Sequence, residues 1–252
     1  MKQIMITCIL VCVIVVIFSI IGCTGSPMKA NDNEVNDIGV GEAHNMVLKH
    51  LESRKFPLFN DEGLVPYANL EYMFSAIYDA MIEIGYDPTK CNEIIPAVFE
   101  ELAAMGLLRE IDGEVFLDLR EKDLSLTTWD YLVANGKLDQ GTIEKITPVI
   151  EFYRQNGDSP ELGAMVEELN TNLDIYDPDT ITKILTFKDV FEHSEDYWEY
   201  YGHWIGGPGS VSLCDALGTL VGGVPGGLVG GVIFAGGWSY LHERFVVWYN
   251  AH

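Results

Sequence analysis

The sequence contains little positive charge. Its 252 residues include 15 lysines and arginines against 38 aspartates and glutamates, which gives a formal net charge of −23 at pH 7. Proteins bind phosphate backbones through clusters of basic side chains, so we predict that this chain binds no nucleic acid. An acidic surface of this kind instead favours solubility, cation binding or a basic partner.

Cysteine is also scarce, with five in the whole sequence. Cys8, Cys12 and Cys23 lie in or next to the apolar N-terminal segment, which leaves Cys91 and Cys214 for the folded part. These two are far apart in sequence, and neither belongs to a CxxC or zinc-type spacing. We predict two unpaired thiols that pack as small apolar groups; a single disulfide is the alternative.

The motifs of common catalytic and metal sites are missing from the sequence. It has no G-x-S-x-G, no Walker loop, no G-x-G-x-x-G after a strand and no H-E-x-x-H. Asp174, Asp177 and Asp179 lack the glycine and the terminal glutamate of a calcium loop. We therefore predict a non-enzymatic protein with no catalytic residue, no metal site and no cofactor. A hydrolase is the alternative, and it would need His44 or His203 to meet acidic residues in a cleft.

Two histidine clusters have the most suggestive polar patterns. Glu42, His44 and Asn45 stand at the start of an apolar periodic segment, while His193 and His203 lie among acidic and aromatic residues. Such groups can hold a divalent cation or act as an acid–base pair. The simpler interpretation is structural: Glu42 complements a helix dipole and His44 caps or packs. We favour the structural interpretation for both clusters.

The N-terminus carries the signature of export. Lys2 precedes an uncharged apolar run over residues 4–21, and Ile20-Ile21-Gly22-Cys23 closes it. A basic start, an apolar run and a small residue before the cut are typical of a signal peptide. With cysteine directly after that small residue, the segment resembles the lipobox of bacterial lipoproteins. The resemblance implies cleavage of residues 1–22 and lipidation of Cys23; an uncleaved transmembrane helix is the alternative.

The residues after Cys23 indicate where in the cell envelope the protein is located. Thr24 stands where an aspartate often marks inner-membrane retention in Gram-negative lipoproteins, so the resemblance implies the outer membrane rather than the inner. The acidic stretch Asn31-Asp32-Asn33-Glu34 resembles signals that move some lipoproteins to the cell surface. We predict that residues 23–38 form a flexible tether between the lipid and the folded part.

The middle of the chain has helical periodicity. Spaced apolar residues predict helices from about Gly41, over 67–84, from Pro88 to about 105, over 126–134 with Ser125 as cap, over 140–155, over 161–169 and from Pro178 onwards. Residues 107–119 differ, because Asp112-Gly113 between short apolar runs predicts a β-hairpin. We predict a mainly α fold: a helical domain over 39–200 with one small hairpin.

A helix followed by Gly-Leu-Leu-Arg and a hairpin resembles the end of a winged-helix unit. The usual use of that unit is DNA binding. Between Leu70 and Leu119, however, only Lys90 and Arg109 oppose eleven acidic residues. A basic recognition face cannot be built from this segment, so the unit would serve as a scaffold or bind protein.

Glycines recur at four-residue spacing near the C-terminus. One row is Gly218, Gly222, Gly226 and Gly230, and the adjacent positions Gly223, Gly227 and Gly231 form a second row. On a helix the two rows make a smooth strip that allows close helix packing. No charged residue occurs over 216–241, and aromatic residues flank this stretch on both sides. The segment resembles the glycine zippers of outer-membrane lipoproteins and small membrane-active bacteriocins.

Two arrangements of this segment, residues 205–245, remain open. It inserts into a membrane or associates with a second copy, or it forms a buried helical hairpin that Pro225 divides. We predict a lipid-anchored protein of the bacterial cell envelope that holds the membrane through Cys23 and associates through its glycines with itself or an unknown protein partner. The alternatives are a periplasmic or surface binding module with the segment as core, and a membrane-active toxin-like protein.

Overall fold

The computed structural model describes residues 39–54, 56–120, 123–201 and 208–251. The predicted signal peptide, the lipidation residue Cys23 and the predicted tether lie outside these residues, as does His203. The described α-helices and β-strands, in chain order, are α1 (Val40–Arg54), β1 (Leu64–Pro66), α2 (Tyr67–Ile84), α3 (Pro88–Ala104), β2 (Leu108–Ile111), β3 (Glu114–Asp118), α4 (Leu124–Ala134), α5 (Gln140–Asn156), α6 (Glu161–Glu167), α7 (Pro178–Tyr201) and α8 (Pro208–Ala251); two short 3-10 helices, Glu168–Asn170 and Leu173–Ile175, lie between α6 and α7. The mainly α fold class is confirmed.

Side chains at the helix ends explain where several helices begin and stop. Gly85 ends α2 in the left-handed conformation at φ 104°, which glycine adopts without steric cost. Asp87 caps α3 and accepts a hydrogen bond from the backbone of Thr89. The predicted cap of α4 is wrong: Asp123 accepts from the backbone N–H of Leu126, whereas Ser125 is buried inside the first turn.

The predicted hairpin is present and belongs to a three-stranded antiparallel sheet in the order β1-β3-β2. Asp112 and Gly113 both have positive φ, which a tight two-residue turn requires. Strand β1 was missed because three residues are too few to show alternation. Along the chain, these described elements follow the order helix, strand, two helices, hairpin.

An ion-paired aspartate holds β3 in place. Asp118 is 8% exposed, and its carboxylate accepts hydrogen bonds from Arg109 at 2.6 Å and from Nε of Arg120 at 2.9 Å. The hydrogen bonds from Arg120, followed by those from Arg109, lower the pKa of Asp118 to about 2 against burial. Both arginines are more than a third exposed, so solvent screens part of this interaction.

We expect Asp118→Asn to lower the free energy of unfolding by about 1–2 kcal/mol at pH 7. Because the folded pKa is below the unfolded value, this stabilisation is complete above about pH 4 and is lost as the pH falls towards 2. Urea unfolding at pH 7 and pH 2.5 would measure the difference. Asp61→Asn, at an exposed position, is the control and should change neither value. Equal losses at both pH values would contradict this account.

Helix α8 is a hairpin of two arms, residues 208–226 and 228–251. The break lies at Gly227, whose φ of 59° and ψ of −143° are open to glycine. The predicted break at Pro225 is therefore two residues early. Helix α8 packs against α1, α2, α3, α4 and α7, with most of residues 209–241 buried. Within the described part, no helix has both the length and the apolarity of a membrane span.

Cys91 and Cys214 are free and buried, as predicted. Burial raises the pKa of both thiols, which keeps them protonated and inert. Neither thiol therefore offers a reactive nucleophile.

Candidate functional site

The first glycine row folds back on itself inside the hairpin. A Cβ built on Gly222 would overlap the carbonyl oxygen of Gly230, and one built on Gly230 would overlap that of Gly222. A Cβ on Gly218 would lie 3.1 Å from Cα of Ala235, and one on Gly231 would lie 3.3 Å from the carbonyl oxygen of Thr219. The backbones of the two arms are therefore nearly in contact.

The remaining glycines of the rows lie near the turn. Gly227 makes the break itself, and Gly226 precedes it. A Cβ on Gly223 would meet no atom of the described residues within 4 Å. The rows thus divide into positions that pack one arm on the other and positions that shape or flank the turn.

A polar cluster is buried where the hairpin meets α1 and α7. Asp215 and His44 are both 0% exposed, and Nε2 of His44 lies 3.4 Å from Oδ2 of Asp215. The same Oδ2 accepts hydrogen bonds from Ser194 at 2.5 Å and Ser239 at 2.7 Å. Trp198 donates from Nε1 to the Ser239 hydroxyl at 3.1 Å. Four helical segments are tied together at one carboxylate.

The orientation of His44 is set from outside the cluster. Asn45 donates from Nδ2 to the carbonyl oxygen of His193, which leaves its Oδ1 facing Nδ1 of His44 at 3.0 Å. That ring nitrogen therefore carries a proton, since Oδ1 can only accept. Nε2, on the other side of the ring, faces Oδ2 of Asp215 and has no hydrogen-bond partner among the described residues.

This cluster is arranged for holding helices together. In a hydrolase triad the imidazole lies between the nucleophilic hydroxyl and the acid. Here the carboxylate of Asp215 lies between Ser194, Ser239 and His44, and all four side chains are buried. The arrangement fixes positions and presents no nucleophile to a ligand.

A second polar group lines an open cleft, the C-terminal cleft, with a volume of about 390 Å³. Its polar residues are Asp123, Tyr153, Asp158, Ser210 and His242. Its apolar and aromatic residues are Leu119, Leu124, Phe245, Val246 and Tyr249. The volume lies in the range of small-molecule sites.

Four parts of the chain supply the polar side chains of the cleft. Asp123 is the cap of α4, Tyr153 lies in α5, and Asp158 follows α5. Ser210 lies in the first arm of α8, and His242 lies in the second. The hairpin therefore completes the cleft as well as filling the core.

Burial changes the acid–base properties of the cleft. It raises the pKa of Asp158, although the backbone N–H groups of Ser210 and Gly209 partly oppose the change. Burial lowers the pKa of His242, so the imidazole is neutral at pH 7. It also raises the pKa of Tyr153, whose hydroxyl donates to Oδ2 of Asp123 at 3.3 Å.

Two atoms of the cleft are buried without a hydrogen-bond partner among the described residues: Oδ2 of Asp158 and Nδ1 of His242. Buried polar atoms are nearly always paired in folded proteins, because an unpaired one costs about 1–3 kcal/mol. Both residues line the cleft, so a ligand with hydrogen-bonding groups would find partners there.

The histidine patterns of the sequence do not converge on this cleft. His44 is in the buried cluster while Glu42 is exposed, and His193 contacts α1 next to Gly41. No group of metal-ligating residues suited to an ion occurs in the described ranges.

The cleft residues were missed because they come from distant segments. The one available signal was His242, the first ionisable residue after the uncharged stretch. No protein-family model, curated protein or solved structure matches this chain significantly.

Proposed function

We propose that the chain is a lipid-anchored binding protein of the bacterial cell envelope, non-enzymatic, with Cys23 as its membrane contact. Its glycine hairpin serves as core, and its C-terminal cleft receives a ligand. The proposed location in the cell envelope rests on the lipobox resemblance of residues 20–23. We propose the outer membrane rather than the inner, with the protein exposed at the cell surface as an extension of this proposal.

The contact between Gly222 and Gly230 carries this proposal. A glycine strip that mediates membrane insertion or self-association has to face lipid or a second chain. Here the two backbones approach each other so closely that neither position has room for a Cβ. This supports the binding-module alternative over the zipper as a second membrane element.

Burial of the second arm supports the same choice. A Cβ on Gly236 would lie 2.8 Å from Cγ1 of Val47, and one on Gly237 would lie 3.3 Å from Cδ1 of Ile77. Exposing this arm to lipid would uncover the apolar residues of α1 and α2 that pack on it.

Detergent phase partitioning tests the proposal. The lipidated chain should enter the detergent phase, and a Cys23→Ala form exported through a cleavable signal should stay aqueous and monomeric. Cys91→Ala removes a buried cysteine instead and should partition like the lipidated chain.

Entry of the Cys23→Ala form into the detergent phase would contradict the proposal and identify the hairpin as a membrane element. Dye release from liposomes by that form would instead favour the toxin-like alternative.

A further inference from the structure

We infer that the C-terminal cleft binds an organic cation, an ammonium or guanidinium group on a small apolar or aromatic body. This inference rests on the proposed function and names the ligand class of its site.

The charge of the cleft favours a cation. Asp123 and Asp158 both line it, and no lysine or arginine is among the described residues that do so. Oδ2 of Asp158 is buried and lacks a donor in the described structure. A carboxylate only accepts hydrogen bonds, so the N–H groups of an ammonium or guanidinium supply what this oxygen lacks.

The second unpaired atom of the cleft is compatible with that ligand. His242 has a lowered pKa because it is buried, and a neutral imidazole does not repel a positive charge. Its buried Nδ1 can accept a hydrogen bond from a ligand N–H group.

The walls of the cleft suit the body of such a ligand. Tyr153, Phe245 and Tyr249 contribute aromatic rings, on which cations and aromatic groups both pack favourably. Tyr249 is 65% exposed and forms the rim. Leu119 and Leu124 add an apolar surface.

An anionic ligand does not fit the same site. The N-terminus of α8 would attract an anion, but Asp158 already accepts hydrogen bonds there from the backbone N–H groups of Gly209 and Ser210. The net charge of −23 would also slow the approach of anions and speed that of cations.

Binding should depend on pH through Asp158. The groups that face it are the carboxylates of Asp123 and Glu195, the hydroxyl of Tyr153, neutral His242 and the two backbone N–H groups. Burial raises its pKa, and a bound cation favours the ionised form. Affinity should therefore fall as the pH is lowered.

Calorimetric titration of the Cys23→Ala chain with 2-phenylethylamine tests the inference, with 2-phenylethanol as neutral isostere. We expect the amine to bind at least tenfold more tightly than the alcohol, and more weakly at pH 5 than at pH 7.5. Asp158→Asn should remove the preference for the amine, because asparagine still caps α8 but carries no charge. Tyr249→Ala, at the exposed rim, should weaken amine binding at least threefold.

Asp174→Asn is the control, since it removes one exposed carboxylate away from the cleft, and it should leave the preference unchanged. The inference is overturned if the alcohol binds as tightly as the amine, if Asp174→Asn weakens the amine as much as Asp158→Asn, or if the amine fails to bind at millimolar concentration. Tight binding of the alcohol or of 3-phenylpropionate would contradict the inferred ligand class but agree with the proposed binding protein. The proposed function itself is tested separately, by the partitioning experiment.

Discussion

Gly222→Ala should lower the free energy of unfolding by about 3 kcal/mol, while Gly223→Ala, one residue further on, should raise it by about 0.5–1 kcal/mol. The two substitutions add the same methyl group to the same helix. Their opposite signs follow from what each methyl group meets.

At Gly222 the added carbon overlaps the backbone of the other arm. Its nearest atoms are the carbonyl oxygen and carbon of Gly230 and then Cβ of Phe234 at 2.8 Å. Backbone cannot rotate out of the way as a side chain does, so the arms have to separate. Separation would open the packing around Phe234, which is 1% exposed.

At Gly223 the added carbon meets no atom within 4 Å in the part of the chain that the structure describes, and the backbone is helical. Alanine then raises the free energy of unfolding, because it has a higher helix propensity than glycine and makes the unfolded chain less flexible. Urea unfolding of both variants in the Cys23→Ala chain would measure the two effects. Equal changes in the two variants would show that the hairpin is packed differently from the structure.

Glycine spacing predicted close helix packing, but it could not identify the partner of the strip. Gly222 and Gly230 are eight residues apart and belong to one row on an uninterrupted helix. The break at Gly227 turns them towards each other, because it reverses the chain between them. A break of this kind depends on the backbone conformation of one residue, which periodicity does not encode.

Local signals elsewhere were more informative. The helix over 67–84 and the turn at Asp112-Gly113 were predicted because periodicity, Gly85 and turn chemistry act over a few residues. The C-terminal cleft depends on where distant segments pack. Nothing near Asp158 or His242 in the sequence indicates that they share a cavity.

The largest loss should come from Asp215→Ala, which we expect to lower the free energy of unfolding by about 3–5 kcal/mol. The carboxylate is 0% exposed and joins α1, α7 and both arms of α8 through His44, Ser194 and Ser239. Its removal leaves two hydroxyl groups buried without their acceptor and takes away the carboxylate that faces Nε2 of His44. Each unsatisfied group adds its own desolvation cost.

Asp215→Asn removes the charge of the carboxylate but keeps an oxygen that can accept hydrogen bonds. The amide oxygen can still accept from the two hydroxyl groups, so we expect a smaller loss of about 2 kcal/mol that comes mainly from the contact with His44. Asp174→Asn, the same change at an exposed position, should stay within about 0.5 kcal/mol of the parent.

A double-mutant cycle assigns the loss to the contact between Asp215 and His44. The free energies of unfolding of His44→Ala, Asp215→Ala and the double variant should give a coupling energy of at least about 1 kcal/mol, because both single changes remove the same interaction. Additive losses would show that the two side chains stabilise the fold independently. The cluster would then be two separate anchors of the hairpin, one on α1 and one on α7.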